Sequence, residues 1–118
     1  MPLACELTLP LPPSTNRLWV RARKGMRKSA LYVAWLMVAG VEARKQTITR
    51  VKGPYKLTLE AVRPDKRKRD LSNLIKATED FLQSIGVIED DCMSEAIYMR
   101  WVTTGEGVRV RVEPCGVE

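Results

Sequence analysis

Apolar residues recur along this chain with two different periods, and the switches between them predict its elements. Residues 5–9, Cys-Glu-Leu-Thr-Leu, alternate and stop at Pro10, which predicts an edge strand followed by a Pro-rich turn through Pro12 and Pro13. Ser14 to Lys28 is polar and basic without a period and reads as a loop. From Ser29, a good N-cap residue, Leu31, Ala34, Trp35, Val38 and Val41 fall at helical spacing. They predict a helix reaching about Lys45 with those side chains on its packed face. Gly40 inside it costs about 1 kcal/mol relative to alanine and marks either a close packing contact or a weak point.

Gly53-Pro54 breaks the chain before Tyr55–Val62, a strand whose alternation puts Tyr55, Leu57, Leu59 and Ala61 on one face. A second helix follows the basic run after it. Its stripe is Leu71, Leu74, Ile75, Thr78, Phe81, Leu82 and Ile85, and Gly86 is placed to end it in a left-handed conformation. Ala96 to Thr103 and Val108 to Val112 read as strands around Thr104-Gly105-Glu106-Gly107, the pattern of a β-hairpin. The predicted order is β-α-β-α-β-β: an α/β single small domain over residues 1–118, with a mixed sheet of about four strands and two main helices.

Composition narrows the function. A chain of 118 residues fits one domain and one site. No stretch approaches the roughly 20 apolar residues that span a bilayer, so no membrane association is expected. Met1-Pro2-Leu3 leads straight into strand-like sequence without a signal-peptide pattern. Cys5, Cys92 and Cys115 are odd in number and lack C-x-x-C spacing, which suits reduced thiols in a cytoplasmic setting. The absence of histidine excludes Ser-His triads, histidine bases and His-containing zinc sites. Catalysis is left to carboxylates, lysines or hydroxyls.

The formal charge of +6 is concentrated. One segment carries Arg17, Arg21, Arg23, Lys24, Arg27 and Lys28, and another Arg63, Lys66, Arg67, Lys68 and Arg69. A polyanion is the natural partner, with a solvated basic loop as the bland alternative for either run alone. No RRM, KH or zinc-knuckle pattern supports a plain RNA-binding module. Trp19, among arginines, either stacks on an unpaired base or packs on the sheet. Trp35, Phe81 and Trp101 read as core or interface.

Asp70 stands at the start of the second helix, and Asn73, Lys76 and Asp80 lie off its apolar stripe, able to share a surface with Asp70. Taken alone, Asp70 is an N-cap and Glu89-Asp90-Asp91 an acidic turn. Taken together, they suggest one site, because adjacent carboxylates repel unless a cation lies between them, and oxygen ligands suit Mg²⁺. Lys76 would add a point charge toward a scissile phosphate, and the arginines and lysines would hold a DNA backbone.

Three motifs carry a family resemblance: Arg-x-Arg-Asp-Leu-x-Asn-Leu-x-Lys at 67–76, Asp90-Asp91, and Leu-Pro-x-Pro-Pro-Ser-x-Asn-Arg at 9–17. The chain resembles the RusA family of Holliday junction resolvases over nearly its whole length. The resemblance implies a homodimeric α/β endonuclease that resolves four-way DNA junctions by paired nicks in recombination and repair, in a bacterial or phage-encoded setting. It implies Mg²⁺, with Mn²⁺ as a substitute. By motif it assigns catalysis to Asp70, Asp91 and Lys76, with Asp90 beside them as a further ligand and Asn73 and Asn16 in support. The family usually has an aspartate where this chain has Ser72, a neutral and weaker ligand. Three readings stay open: an active variant, a weakened enzyme, or a junction-binding protein that has lost cleavage.

Overall fold

The computed structural model describes residues 4–115, so the outermost residues of the predicted 1–118 domain, Met1-Pro2-Leu3 among them, lie outside the described part. Its main sheet has four strands in the order β1-β6-β4-β5, where β1 is Cys5–Leu9, β4 Tyr55–Val62, β5 Ser94–Val102 and β6 Val108–Pro114. Strand β6 runs antiparallel to both β1 and β4, whereas β5 runs parallel to β4. The α/β class and the mixed four-stranded sheet are as predicted.

Alternation decides which face of the sheet is buried. Register places Leu7, Val110 and Leu59 in one row and Cys5, Val112 and Leu57 in the next, all buried. Both helices contribute to the same core, with the Trp35 and Phe81 rings meeting edge to face at 5.5 Å between centroids. The opposite face is polar: Glu60 accepts from Arg100 at 2.8 Å, and Lys56 approaches Glu113 at 3.8 Å. This is a two-layer domain with one face of the sheet open to water.

The predicted hairpin is not formed. Strand β4 lies between β5 and β6, because the second helix carries the chain back over the sheet and returns it parallel to β4. The link from β5 to β6 must then cross the end of β4. It does so through Gly107, where a Cβ would stand 2.1 Å from the Leu9 carbonyl oxygen, and whose own carbonyl accepts from the Val62 amide at 2.9 Å. Strand β5 is left at the sheet edge, with Ile97 and Tyr98 exposed.

Helix α1, Ala30–Arg44, has the predicted cap: Ser29 Oγ accepts from the Tyr32 amide at 3.0 Å and donates to the Arg17 carbonyl at 2.6 Å. Its buried face differs from the prediction. Tyr32, Trp35, Ala39 and Ala43 point inward, while Leu31, Val38 and Val41 are 51%, 52% and 48% exposed. Because residues 30–41 contain no charge, no polar stripe marks the outer face, and two apolar faces compete for the core. Trp35 selects the inner one, anchored by its indole N–H donating to the Pro10 carbonyl at 2.9 Å. Gly40 meets only the Arg44 side chain and makes no close packing contact.

The basic segment read as a loop is more ordered than that. A 3₁₀ turn at Thr15–Arg17 leads into a small antiparallel hairpin of β2, Trp19–Arg21, and β3, Met26–Lys28. Polar residues on both faces give such a ribbon no hydrophobic period, which is why the pattern missed it. The second helix divides as well. Leu71–Leu74 is a 3₁₀ turn, and helix α2 proper is Ile75–Ser84. It ends as predicted at Gly86, φ 83°, where the Val87 amide reaches the Leu82 carbonyl at 2.9 Å and the Gly86 amide that of Gln83 at 3.2 Å.

Candidate active site and nucleic-acid interface

Two groups of the predicted residues are assembled, on either side of the Leu71–Leu74 turn. The first surrounds Asp70. This residue precedes the turn in extended conformation, and its carboxylate makes no capping hydrogen bond; only its backbone carbonyl is engaged, by the Asn73 amide at 3.1 Å. The capping reading of Asp70 is thereby corrected, and its charge is left free for other work. Asp70 borders a cavity of about 390 Å³ whose rim carries Arg17, Arg67, Lys68 and Arg69. Arg17 arrives from the 3₁₀ turn at Thr15–Arg17, where Thr15 Oγ1 donates to the Asn73 carbonyl at 3.0 Å. Asn73 therefore supports the wall of this cavity. Asn16 and Ser72 are exposed, the latter on the turn itself.

Asp65 organises the arginines, and the sequence reading passed over it. Its carboxylate accepts from Arg67 Nε at 3.1 Å and from Arg69 Nη2 at 2.8 Å, and it also takes the Arg67 amide at 3.0 Å. Hydrogen bonding from Arg69 first, then from Arg67, holds the Asp65 carboxyl well below the usual carboxylate range. The signal was present as an aspartate two and four residues ahead of two arginines. Lys66 and Lys68 are exposed.

The second group surrounds Asp91. It opens a short 3₁₀ turn, Asp91–Met93, directly before β5. Lys76 Nζ lies 3.8 Å from Asp91 Oδ2 and 3.2 Å from Asp80 Oδ1, so the lysine sits between two carboxylates. The hydrogen bond to Asp80 is the main cause holding the Lys76 ammonium above its ordinary value. Asp80 completes the site by its i,i+4 spacing from Lys76. Behind it, buried Glu79 accepts from the Tyr55 hydroxyl at 2.7 Å. Burial pushes both groups up, and the nearby Asp91 charge adds to it. Asp90 is occupied otherwise: its side chain caps the turn by accepting from the Cys92 amide at 2.9 Å, which is the chief cause of its lowered pKa.

Asp70, Asp90 and Asp91 are therefore not gathered into one cluster. Among the described residues no group of three or more histidine, cysteine, aspartate or glutamate side chains is placed to hold a metal ion. Asp70 borders the basic-rimmed cavity, Asp90 caps its turn and Asp91 faces Lys76, so each acid has its own surroundings. The donor chemistry still fits a hard divalent cation, because Asp70 and Asp91 offer carboxylate oxygens and the Asp70 carboxylate makes no capping bond.

The other predicted DNA contacts, Arg21, Arg23, Lys24, Arg27 and Lys28, are on the β2–β3 hairpin, and Arg21, Arg27 and Lys28 are exposed there. Trp19 packs against helix α1 and not on the sheet: its ring meets Tyr32 edge to face at 6.3 Å, and Lys28 Nζ lies 5.3 Å over it. Trp101 is half-buried beside the Asp70 cavity. Cys5, Cys92 and Cys115 are free thiols, and no helix among the described residues is long and apolar enough to cross a membrane.

A small α/β domain that rims one carboxylate with arginines and holds a lysine against another has the equipment of an enzyme acting on phosphodiesters. Residues 10–113 match the family model described as Endodeoxyribonuclease RusA. The chain is 37% identical over 87 residues to the crossover junction endodeoxyribonuclease RusA of Escherichia coli K12 and to that of Enterobacteria phage 82, covering 73% of this chain and 72% of each relative. It is 34% identical over 96 residues to that of Shigella sonnei. The chain belongs to the RusA family, and with it to the hydrolases that act as nucleases.

Proposed function

We propose that this protein is a structure-selective endodeoxyribonuclease that resolves Holliday junctions by paired, symmetric nicks with a divalent cation, Mg²⁺ or in its place Mn²⁺. The observation that carries the reading is how the Arg67–Lys76 motif folds: one turn presents Asp70 to a basic-rimmed cavity and Lys76 to Asp91. Arg17, Arg67, Lys68 and Arg69 bind the backbone phosphates and offset the repulsion between Asp70 and a polyanion. Lys76 places a positive charge where the scissile phosphate gains negative charge, with Asp80 and Asp91 fixing its ammonium. Asp70 and Asp91, with Ser72 and Asp90 as weaker contributors, are the residues to hold the cation. The bound cation would lower the pKa of water and offset charge on the phosphate.

A four-way junction has two-fold symmetry, and a homodimer presents one such site to each of two opposed strands. The relatives' hosts suit a bacterial or phage-encoded protein working in the cytoplasm on recombination and repair intermediates.

One observation favours a second reading. Ser72, exposed on the turn, puts a neutral hydroxyl where the family usually has an aspartate, which suits a junction-binding protein with weakened cleavage. The test is a labelled mobile four-way junction incubated with Mg²⁺ and with chelator. Symmetric nicks that require the cation support the nuclease. Tight, junction-selective binding without nicks supports the second reading, and equal affinity for junction and duplex overturns both.

A further inference from the structure

The cavity beside Asp70 has an apolar part that phosphate binding does not call for. Besides the cationic residues it is lined by Leu11, Pro12, Pro13, Leu31, Leu74 and Trp101. Phosphates are held by charge and hydrogen bonds alone and gain nothing from such a surface. A nucleobase has two apolar faces to cover and gains from each contact. At about 390 Å³ the space falls within the ordinary range of ligand pockets, roughly 300–1,000 Å³, and has room for one nucleoside but none for a duplex.

Its chemistry is graded in the same sense. Trp101 supplies an aromatic wall, and its ring also carries the Arg63 guanidinium 4.6 Å from the centroid, a cation outside the cavity lining. Ser14 and Asn73 add polar groups for a base edge. Asn73 is braced by the bond from Thr15, so this wall is built before any ligand arrives. Arg17, Arg67, Lys68 and Arg69 belong to the same lining and suit the phosphates on either side of a base. At a junction centre, bases lose a stacking neighbour, so extruding one costs less there than in a duplex.

We propose that this cavity receives one unstacked nucleobase of the branched DNA, from a nucleotide next to the scissile phosphate, and so sets where the strand is cut. The inference rests on the junction-nuclease reading. The pocket reads the base, and Asp70 at its border is thereby brought to the adjoining phosphate.

The test measures junction affinity with chelator present, so that cleavage plays no part. A single abasic nucleotide is walked through the three positions on each side of the crossover of an otherwise unchanged four-way junction. Each junction is titrated with the native protein, with Leu31→Trp, which fills the cavity from a half-exposed position, and with Trp101→Leu, both checked by thermal melting. The expected result is one position where loss of the base weakens native binding about tenfold. The same loss should cost the filled and the Trp101 variants less than about twofold, the sign of coupling between base and cavity. If no position matters, or if its cost is the same in all three proteins, the cavity takes backbone only and the inference is overturned. If the native protein does not distinguish junction from duplex, the junction-nuclease reading itself fails, a result the abasic comparison cannot mimic. Should Trp101→Leu not fold, Leu31→Trp alone decides, since its side chain starts at the surface.

Discussion

Asp70 and Asp91 are the same residue type in opposite circumstances. Asp70 lies ahead of a 3₁₀ turn, exposed, with its carboxylate unused and a ring of arginines nearby. Asp91 stands at the start of a strand, with Lys76 and Asp80 in place and a buried Glu79–Tyr55 pair behind. One acid waits at a surface that invites a polyanion, and the other belongs to a preassembled ionic network. The difference teaches that a site for a charged substrate divides the work. An open, cation-rich side receives the ligand, while a packed side supplies fixed charge.

The strongest way to break this comparison is to neutralise each acid separately. Asp70→Asn and Asp91→Asn should each reduce Mg²⁺-dependent nicking about a hundredfold or more, while junction affinity with chelator stays within a few fold. Full activity in either variant, measured in single-turnover assays, would remove that residue from the site. Next in size is the support behind Asp91. Tyr55→Phe deletes the donor to buried Glu79 and should cost about 1–3 kcal/mol, seen as a lower urea midpoint with an unchanged slope. No equivalent loss is expected on the Asp70 side, and an unshifted midpoint would show that water replaces the hydroxyl.

Glu79 also sets a pH dependence. Burial raises its pKa above the ordinary value of about 4.5, so the folded state holds this proton more tightly than the unfolded chain. Its contribution to stability is therefore complete below that value and is lost as pH rises through the folded value. Glu79→Gln should flatten stability over that window, as read from denaturant midpoints at successive pH values. An unchanged profile would mean that Glu79 does not titrate differently in the fold.

Ser72→Asp sharpens the Asp70 side by adding a carboxylate to the exposed turn. A gain of about tenfold in nicking at limiting Mg²⁺ is expected if the serine weakens the site, with little change at saturating Mg²⁺. The smallest effect concerns the arginines that Asp65 holds. Arg67→Gln with Arg69→Gln should weaken binding to every DNA sequence alike and lower the salt slope by about two, one for each phosphate no longer neutralised. A slope that does not move would place both arginines away from the backbone.

The legibility of the sequence varied with how locally each feature is determined. The strand Tyr55–Val62 and the end of helix α2 at Gly86 were readable because alternation and a left-handed glycine are properties of a few adjacent residues. Asp70, Lys76 and Asp91 were readable as a set through motif spacing, and Lys76 and Asp91 do meet. Asp65 and Glu79 were overlooked because each resembles an ordinary surface acid until its partner is in view, whereas Asp80 was placed on the shared helix surface by spacing. Buried Glu79 finds its partner in Tyr55, on a strand 24 residues earlier.

By itself, then, the sequence determined the class of fold, the existence of both helices, the basic character of the surface and the residue types able to act on a phosphodiester. These follow from periodicity, charge and composition, which need no knowledge of what packs where. Tertiary structure alone decided that β4 separates β5 from β6, which face of helix α1 goes inward along its uncharged stretch, and that Asp70 and Asp91 stand in separate surroundings. Each of those outcomes is a competition between distant surfaces for the same core or the same counter-charge. Its result depends on all the competitors together and is written in no single stretch of chain.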